Sequence, residues 1–174
     1  MKKFSTKMLA EAGIMIALAQ ILSYVKIYEA PYGGSITAGS MVPVILYALR
    51  WGTGPGLVAG TVYGMLQFIL GAKYSFSILS ILLDYLIAFG VLGLAGLFRK
   101  TFTGNIVGVF IAIFSRFIAH VLAGVTIWAS YAPEGTNPWI YSIVYNGSYL
   151  LPECIISIII IAILYKPLIK QMKI

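Results

Sequence analysis

A chain of 174 residues that is 60% hydrophobic and 10% charged, with a mean hydropathy of +0.96, is not a soluble domain. Soluble domains carry about 25% charged residues, and a fold of this size has no interior large enough to hide so much apolar surface. The net charge of +7 does not point to nucleic acid either, because the basic residues stand at the ends of apolar runs, where membrane topology puts them.

The apolar runs are long and continuous, unlike the roughly ten-residue alternating segments of an outer-membrane barrel, so the chain reads as an all-α integral membrane protein. Residues 1–7 are basic and precede an apolar run, as in a signal peptide. No A-x-A-like site follows and the remainder is also membrane-like, so this run is the retained first span, 8–24. Within it Gly13 and Ala17 form a small-xxx-small pair that admits a second helix, either inside the fold or from a separate membrane subunit. Residues 26–40 form a polar loop in which Pro31, Gly33 and Gly34 prevent a regular helix, long enough to fold over something. Segment two, 41–50, is short and contains Pro43. Segment three, 57–70, has Gly60 and Gly64 spaced for close packing. A short loop at 71–77 holds Lys73 and Tyr74. Segment four, 78–98, carries Asp84 and Tyr85, and a basic turn follows at 99–105. Segment five, 106–128, carries Arg116, His120, Gly124 and Trp128. After a loop at 129–138 with Pro133, Gly135 and Pro138, segment six, 139–165, carries Tyr141, Asn146, Pro152 and Glu153. Cys154 lies in an apolar run and reads as a packing residue, with no disulfide framework or cysteine metal site.

Six transmembrane helices place both termini on one side. In that count Lys2, Lys3, Lys7, Arg50, Arg99, Lys100, Lys166, Lys170 and Lys173 share a side, while Lys26, Lys73, Glu29 and Glu134 fall on the other. The bias makes both termini cytoplasmic and turns the loops at 26–40, 71–77 and 129–138 outward. The whole of 1–174 is expected to be one domain.

Charges inside a bilayer cost about 2.5–3.5 kcal/mol or more, so each asks for a reason. Asp84, His120, Trp128, Tyr141 and Asn146, with Tyr74 in its loop, converge at one depth near the outer surface. His120, Gly124 and Trp128 are four apart and share a helical face, with a gap at Gly124 suited to a flat ligand. A carboxylate among π faces, amides and phenols suits a flat heteroaromatic cation. Each residue also has a plainer reading: Asp84 in a salt bridge with Arg116, His120 as a satisfied interior ring, Trp128 and Tyr141 in the interfacial aromatic belt, Asn146 as interhelical glue. Arg116 and Glu153 lie deeper and read as structural partners. The chain has no P-loop, no ligand set for a catalytic metal and no Ser/His/Asp order, so it is not expected to be an enzyme, and uphill movement of a ligand needs a partner or an ion gradient.

Several spaced motifs then resemble one family, the thiamine-specific S components of energy-coupling factor (ECF) transporters. They are G-x-x-Y at Gly71–Tyr74, the pair Asp84–Tyr85 followed by GLAGLFR at 93–99, H-x-x-x-G-x-x-x-W at His120–Trp128, and Y-S-x-x-x-N-G at Tyr141–Gly147. The resemblance implies a multi-pass protein of a bacterial plasma membrane, lipid-embedded, that binds thiamine as transported ligand without a cofactor. It implies Asp84 as the binding carboxylate, His120, Tyr141 and Asn146 as polar contacts, Trp128 as the stacking ring, and Tyr74, Tyr85 and Gly124 as further pocket positions. It also implies a transmembrane coupling subunit and two cytoplasmic ATPases as partners, with Gly13 and Ala17 on the docking face, and no nucleic acid. Two departures stand out: Asp84 replaces a Glu, and about Gly34 replaces a covering Trp, with Tyr32 as the nearby substitute. The competing readings are an S component for another vitamin, a small acyl or prenyl transferase built on Asp84 and His120, and a stand-alone proton-coupled carrier using Asp84 and Arg116.

Overall fold

The computed structural model describes residues 5–165 and Pro167. Each of the six apolar segments folds as a helix: α1 Thr6–Ser23, α2 Val42–Trp51, α3 Thr53–Leu70, α4 Ile78–Phe98, α5 Phe102–Thr126 and α6 Pro138–Tyr165. Starts follow local chemistry. The Ser5 hydroxyl accepts from the Met8 N–H at 3.3 Å and the Thr101 hydroxyl from the Gly104 N–H at 2.9 Å, each satisfying an N–H that the first turn leaves free. Four helices, α1, α4, α5 and α6, are long and apolar enough to cross a membrane. Helix α2 has ten residues, about 15 Å at 1.5 Å per residue, half of a bilayer core. Every residue from Val42 to Leu49 is buried, so α2 is the centre of the bundle and has no lipid-facing side. Lipid takes the large apolar side chains left on the outside, such as Ile14 at 65% exposure, Ile78 at 77% and Ile163 at 68%.

Between α2 and α3 the turn is a single residue, Gly52, whose φ of 98° belongs to the left-handed region that glycine enters freely. Beside it the Arg99 guanidinium donates to the Arg50 carbonyl at 3.1 Å and closes that end of the bundle. On the same end Glu11 joins α1 to α2, accepting from the Trp51 indole at 2.7 Å and pairing with Arg50 at 3.1 Å. Cys154 is buried and packs in the core cluster.

Helix α4 departs from regular winding twice. Ile81–Ile87 is π-helical and Val91–Phe98 is a 3-10 helix. Helix α5 stops at Thr126, so Trp128 lies just past its end and not on the helix that also carries His120 and Gly124. The polar segment after α1 is a hairpin, with β1 Lys26–Glu29 paired antiparallel to β2 Ser35–Thr37 and a turn through Pro31–Gly33. An exposed Lys26–Glu29 pair at 2.7 Å decorates it and adds little stability. Of the basic residues used for topology, Lys2, Lys3, Lys166, Lys170 and Lys173 lie outside the described residues.

Candidate functional site

A cavity of about 320 Å³ opens between the hairpin, the 71–77 loop and the segment after α5, and runs inward between α3, α4, α5 and α6. Ligand pockets for small molecules span about 300–1,000 Å³, so the chamber is large enough for one. Tyr74, Asp84, Tyr85, His120, Gly124, Trp128, Tyr141 and Asn146 all line it.

The π-helical stretch presents Asp84. One extra residue per turn widens the helix locally, a device often found where a side chain must be aimed at a ligand. Three donors hold the carboxylate: the Ser80 hydroxyl at 3.0 Å and the Trp128 indole N–H at 3.2 Å on Oδ2, and the His120 Nδ1 at 3.0 Å on Oδ1. The tautomer follows from the far side of the ring. The Arg116 Nε–H lies 3.3 Å from His120 Nε2 and can only donate, so Nε2 accepts and the proton sits on Nδ1. His120 is thus a neutral link from Arg116 to Asp84, with side chains only 11% and 17% exposed at the histidine and the carboxylate.

Arg116 therefore pairs with neither Asp84 nor Glu153. Among the described residues no carboxylate lies within salt-bridge distance of its guanidinium. Its cation lies 3.9 Å from the centroid of the Phe89 ring, so a π face takes the place of an anion. The expected structural pairing fails because Glu153 is already engaged with the hairpin. Both the Thr37 N–H and the Thr37 hydroxyl donate to Glu153 Oε1, the hydroxyl at 2.6 Å.

Asn146 is 5% exposed and largely consumed by the protein. Its amide N–H groups reach the Ser142 carbonyl at 2.9 Å and the His120 carbonyl at 3.4 Å, while its Oδ1 accepts from the Tyr149 hydroxyl at 2.6 Å. It fastens α5 to α6 at the cavity wall. The space beside Gly124 is filled by the Ser142 side chain, whose hydroxyl donates to the Val121 carbonyl at 3.1 Å.

The mouth is aromatic. The Tyr32 and Tyr131 rings meet edge-on at 4.5 Å, and Tyr131 meets Trp128 at 5.5 Å. Tyr32 has a φ of 65°, unusual without glycine, and the turn that holds it is gripped from α6. The Tyr145 hydroxyl donates to the Pro31 carbonyl and accepts from the Gly34 N–H at 3.2 Å. Gly34 lies flat on the Tyr149 ring and Gly33 on Tyr74. Trp139, at the start of α6, is 50% exposed and does not line the cavity.

Sequence reasoning missed Tyr145, Tyr149, Thr37, Ser40 and the cavity-lining roles of Arg116 and Glu153. One signal was there: Tyr141, Tyr145, Tyr149 and Glu153 recur every four residues and form one face of α6. Among the described residues no group of three His, Cys, Asp or Glu side chains is placed to hold a metal ion.

A helical membrane protein with an open-mouthed, aromatic-walled and carboxylate-bearing chamber has the build of a solute-binding transport protein. Residues 9–173 match the family model described as "Thiamine transporter protein". The chain is 35% identical over 172 residues to the thiamine transporter ThiT of Bacillus subtilis (90% of this chain, 89% of that one) and 33% identical over 174 residues to ThiT of Lacticaseibacillus paracasei (88% and 84%). A solved structure of ThiT from Listeria monocytogenes superposes with a TM-score of 0.83 at 29% identity, covering 92% of this chain and 93% of that chain. The S component of a bacterial ECF transporter shares the fold, with a TM-score of 0.66 at 20% identity over 97% and 98% of the chains. This chain belongs to the thiamine transporter family, a family of membrane transport proteins and not of enzymes.

Proposed function

We propose that the chain is the substrate-binding S component of an ECF-type importer, a single six-span domain over 1–174 that binds thiamine from outside the cell. The observation that carries this reading is the Asp84 carboxylate, held by Ser80, His120 and Trp128 inside an aromatic cavity, in a member of the thiamine transporter family. Thiamine joins a permanently cationic thiazolium to an aminopyrimidine. The charge is met by Asp84, and the flat rings by Trp128, Tyr141, Tyr85 and Tyr74. His120, Gly124 and Asn146 shape the wall between α5 and α6. The ionisable side chains around the cavity suit a monocation: two cations, Lys26 and Arg116, face three acids, Glu29, Asp84 and Glu153. Desolvated cation–π contact contributes about 2 kcal/mol. Tyr32 and Tyr131 serve as the cover where a tryptophan is missing.

In this reading both termini are cytoplasmic and the hairpin faces outward. A transmembrane coupling subunit and two cytoplasmic ATPases drive delivery, in keeping with a sequence that contains no P-loop motif. Helix α1 supplies the dock: Gly13 and Ala17 are exposed, and a side chain added at Gly13 would meet nothing within 4 Å among the described residues.

The direct test is thiamine titration of the detergent-purified protein by tryptophan fluorescence. Trp51 hydrogen-bonds Glu11 at the far end and Trp139 lies outside the cavity, so the quenching reports Trp128. Saturable quenching at submicromolar thiamine, lost in Trp128→Phe and in His120→Ala, is expected. A response to another vitamin and none to thiamine would move the ligand while keeping the class. Replacing Gly13 and Ala17 together by Leu is expected to leave titration unchanged and abolish uptake in cells that hold the partners. Loss of thiamine binding in that variant would place those residues in the fold's own packing.

A further inference from the structure

Glu153 is a buried acid of the cavity wall to which the reading above assigns no contact with the ligand. It lies about 22 Å along α6 from Pro138 at 1.5 Å per residue, one turn beyond Tyr149, where the tyrosine face of that helix ends. It is 3% exposed and lines the deep end of the cavity together with Thr37 and Ser40. Its two oxygens are treated unequally. Oε1 receives the Thr37 N–H and the Thr37 hydroxyl, and the Ser40 hydroxyl stands 2.8 Å from that Thr37 oxygen. Oε2 is buried and has no hydrogen-bond partner among the described residues. The nearby cation offers no relief, because Arg116 is turned to His120 and the face of Phe89. A buried carboxylate oxygen left unpaired is costly, a penalty a stable fold removes with water, a neighbouring donor or a ligand.

We propose that Glu153 is a second ligand-binding carboxylate. Oε1 is fixed by the hairpin, and Oε2 is held ready for an N–H or O–H donor at the end of the ligand that enters first. Asp84 and Glu153 then divide the work. Asp84, already accepting three hydrogen bonds, contributes charge and orients the rings around it. Glu153 makes a directed hydrogen bond and fixes which end of the ligand points inward. The inference rests on thiamine being the ligand. Thiamine offers a donor at each end, the amino group of its pyrimidine and the hydroxyl of its side chain on the thiazolium.

Three ligands and three proteins test it. Thiamine, an analogue in which the pyrimidine amino group is replaced by an oxo group, and an analogue lacking the side-chain hydroxyl are titrated against wild type, Glu153→Gln and Thr37→Val. Gln keeps a carbonyl for Thr37 and puts an NH2 where Oε2 stood. Glu153→Gln is expected to weaken thiamine at least tenfold while the unliganded protein unfolds at the same temperature or higher. For one of the two analogues that tenfold factor falls to about one, since the donor it opposes is gone; this is the coupling of a double-mutant cycle. Thr37→Val loosens the hairpin, leaves Oε2 in place, and is expected to weaken all three ligands by one small common factor. Thiamine binding by Glu153→Gln at wild-type strength overturns the proposal. So does an equal loss for all three ligands matched by Thr37→Val, which would make Glu153 a hairpin anchor and nothing more. Failure of the wild type to bind thiamine is a separate result that removes the thiamine reading, and the inference with it.

Discussion

The two halves of α4 depart from α-helical winding in opposite senses. The half nearer the cavity mouth, Ile81–Ile87, is π-helical, and the far half, Val91–Phe98, is a 3-10 helix. In the first, loosened winding goes with a side chain that must be placed: Asp84 collects donors from its own helix, from α5 and from the segment beyond α5. In the second, tightened winding goes with a backbone that must be approached: Gly93 and Gly96 lie directly on the start of α3, where a side chain at Gly93 would overlap the backbone of Gly56 and Leu57. Winding within one membrane helix thus follows local need, aiming at one end and close packing at the other.

That division is open to a sharp test. Asp84→Asn keeps the size of the side chain but removes its charge and sets an NH2 against donors that the carboxylate accepted. Losing a charge-assisted contact of this kind costs about 2–3 kcal/mol, roughly 30- to 150-fold in thiamine affinity by titration. The thermal midpoint of the unliganded protein should change much less. Gly93→Leu attacks the other half. Overpacking a tight interface costs about 1–3 kcal/mol of stability, seen as a lower unfolding midpoint in detergent. Affinity of the folded fraction for thiamine should stay at the wild-type value. If Gly93→Leu weakens thiamine as much as Asp84→Asn does, the two halves are one mechanical unit and the contrast fails.

The sequence made some of this legible and hid the rest for identifiable reasons. Hydropathy located all six helices, because a long apolar run in lipid has few ways to satisfy its backbone other than to coil. It did not tell a lipid-facing helix from an enclosed one, since α2 is apolar for the opposite reason: protein surrounds it on every side. Depth along the helices brought Asp84, His120 and Trp128 to one level, and they do line one cavity. The partner of Arg116 was out of reach, because ion pairing is the default expectation for a buried guanidinium and an aromatic face gives no charge to count. The tie between Glu153 and Thr37 spans 116 residues of sequence and depends on a hairpin hidden in what reads as a glycine-rich loop. The π-helical turn was equally hidden, since five aliphatic residues and a tyrosine around one aspartate look the same at either periodicity.

The smallest expected effect lies at the mouth, and it asks whether the hairpin is a moving part or a fixed wall. One hydroxyl, that of Tyr145, holds both ends of the Pro31–Gly34 turn, while the Thr37 end is held separately by Glu153. Tyr145→Phe removes the first grip and leaves the ring stacked against Tyr141 at 6.0 Å. The lost hydrogen bonds are worth about 1 kcal/mol net, roughly fivefold in a rate or an affinity. If the turn opens to let thiamine leave, the loss falls on the open–closed balance, so stopped-flow fluorescence should show release accelerated severalfold. Association should then be unchanged or slightly faster. If the hairpin is a fixed wall, the phenylalanine variant releases thiamine at the wild-type rate and loses a little thermal stability in its place. The same hydroxyl therefore separates a gate from a wall, and the rate constants decide between them even though the equilibrium change is small.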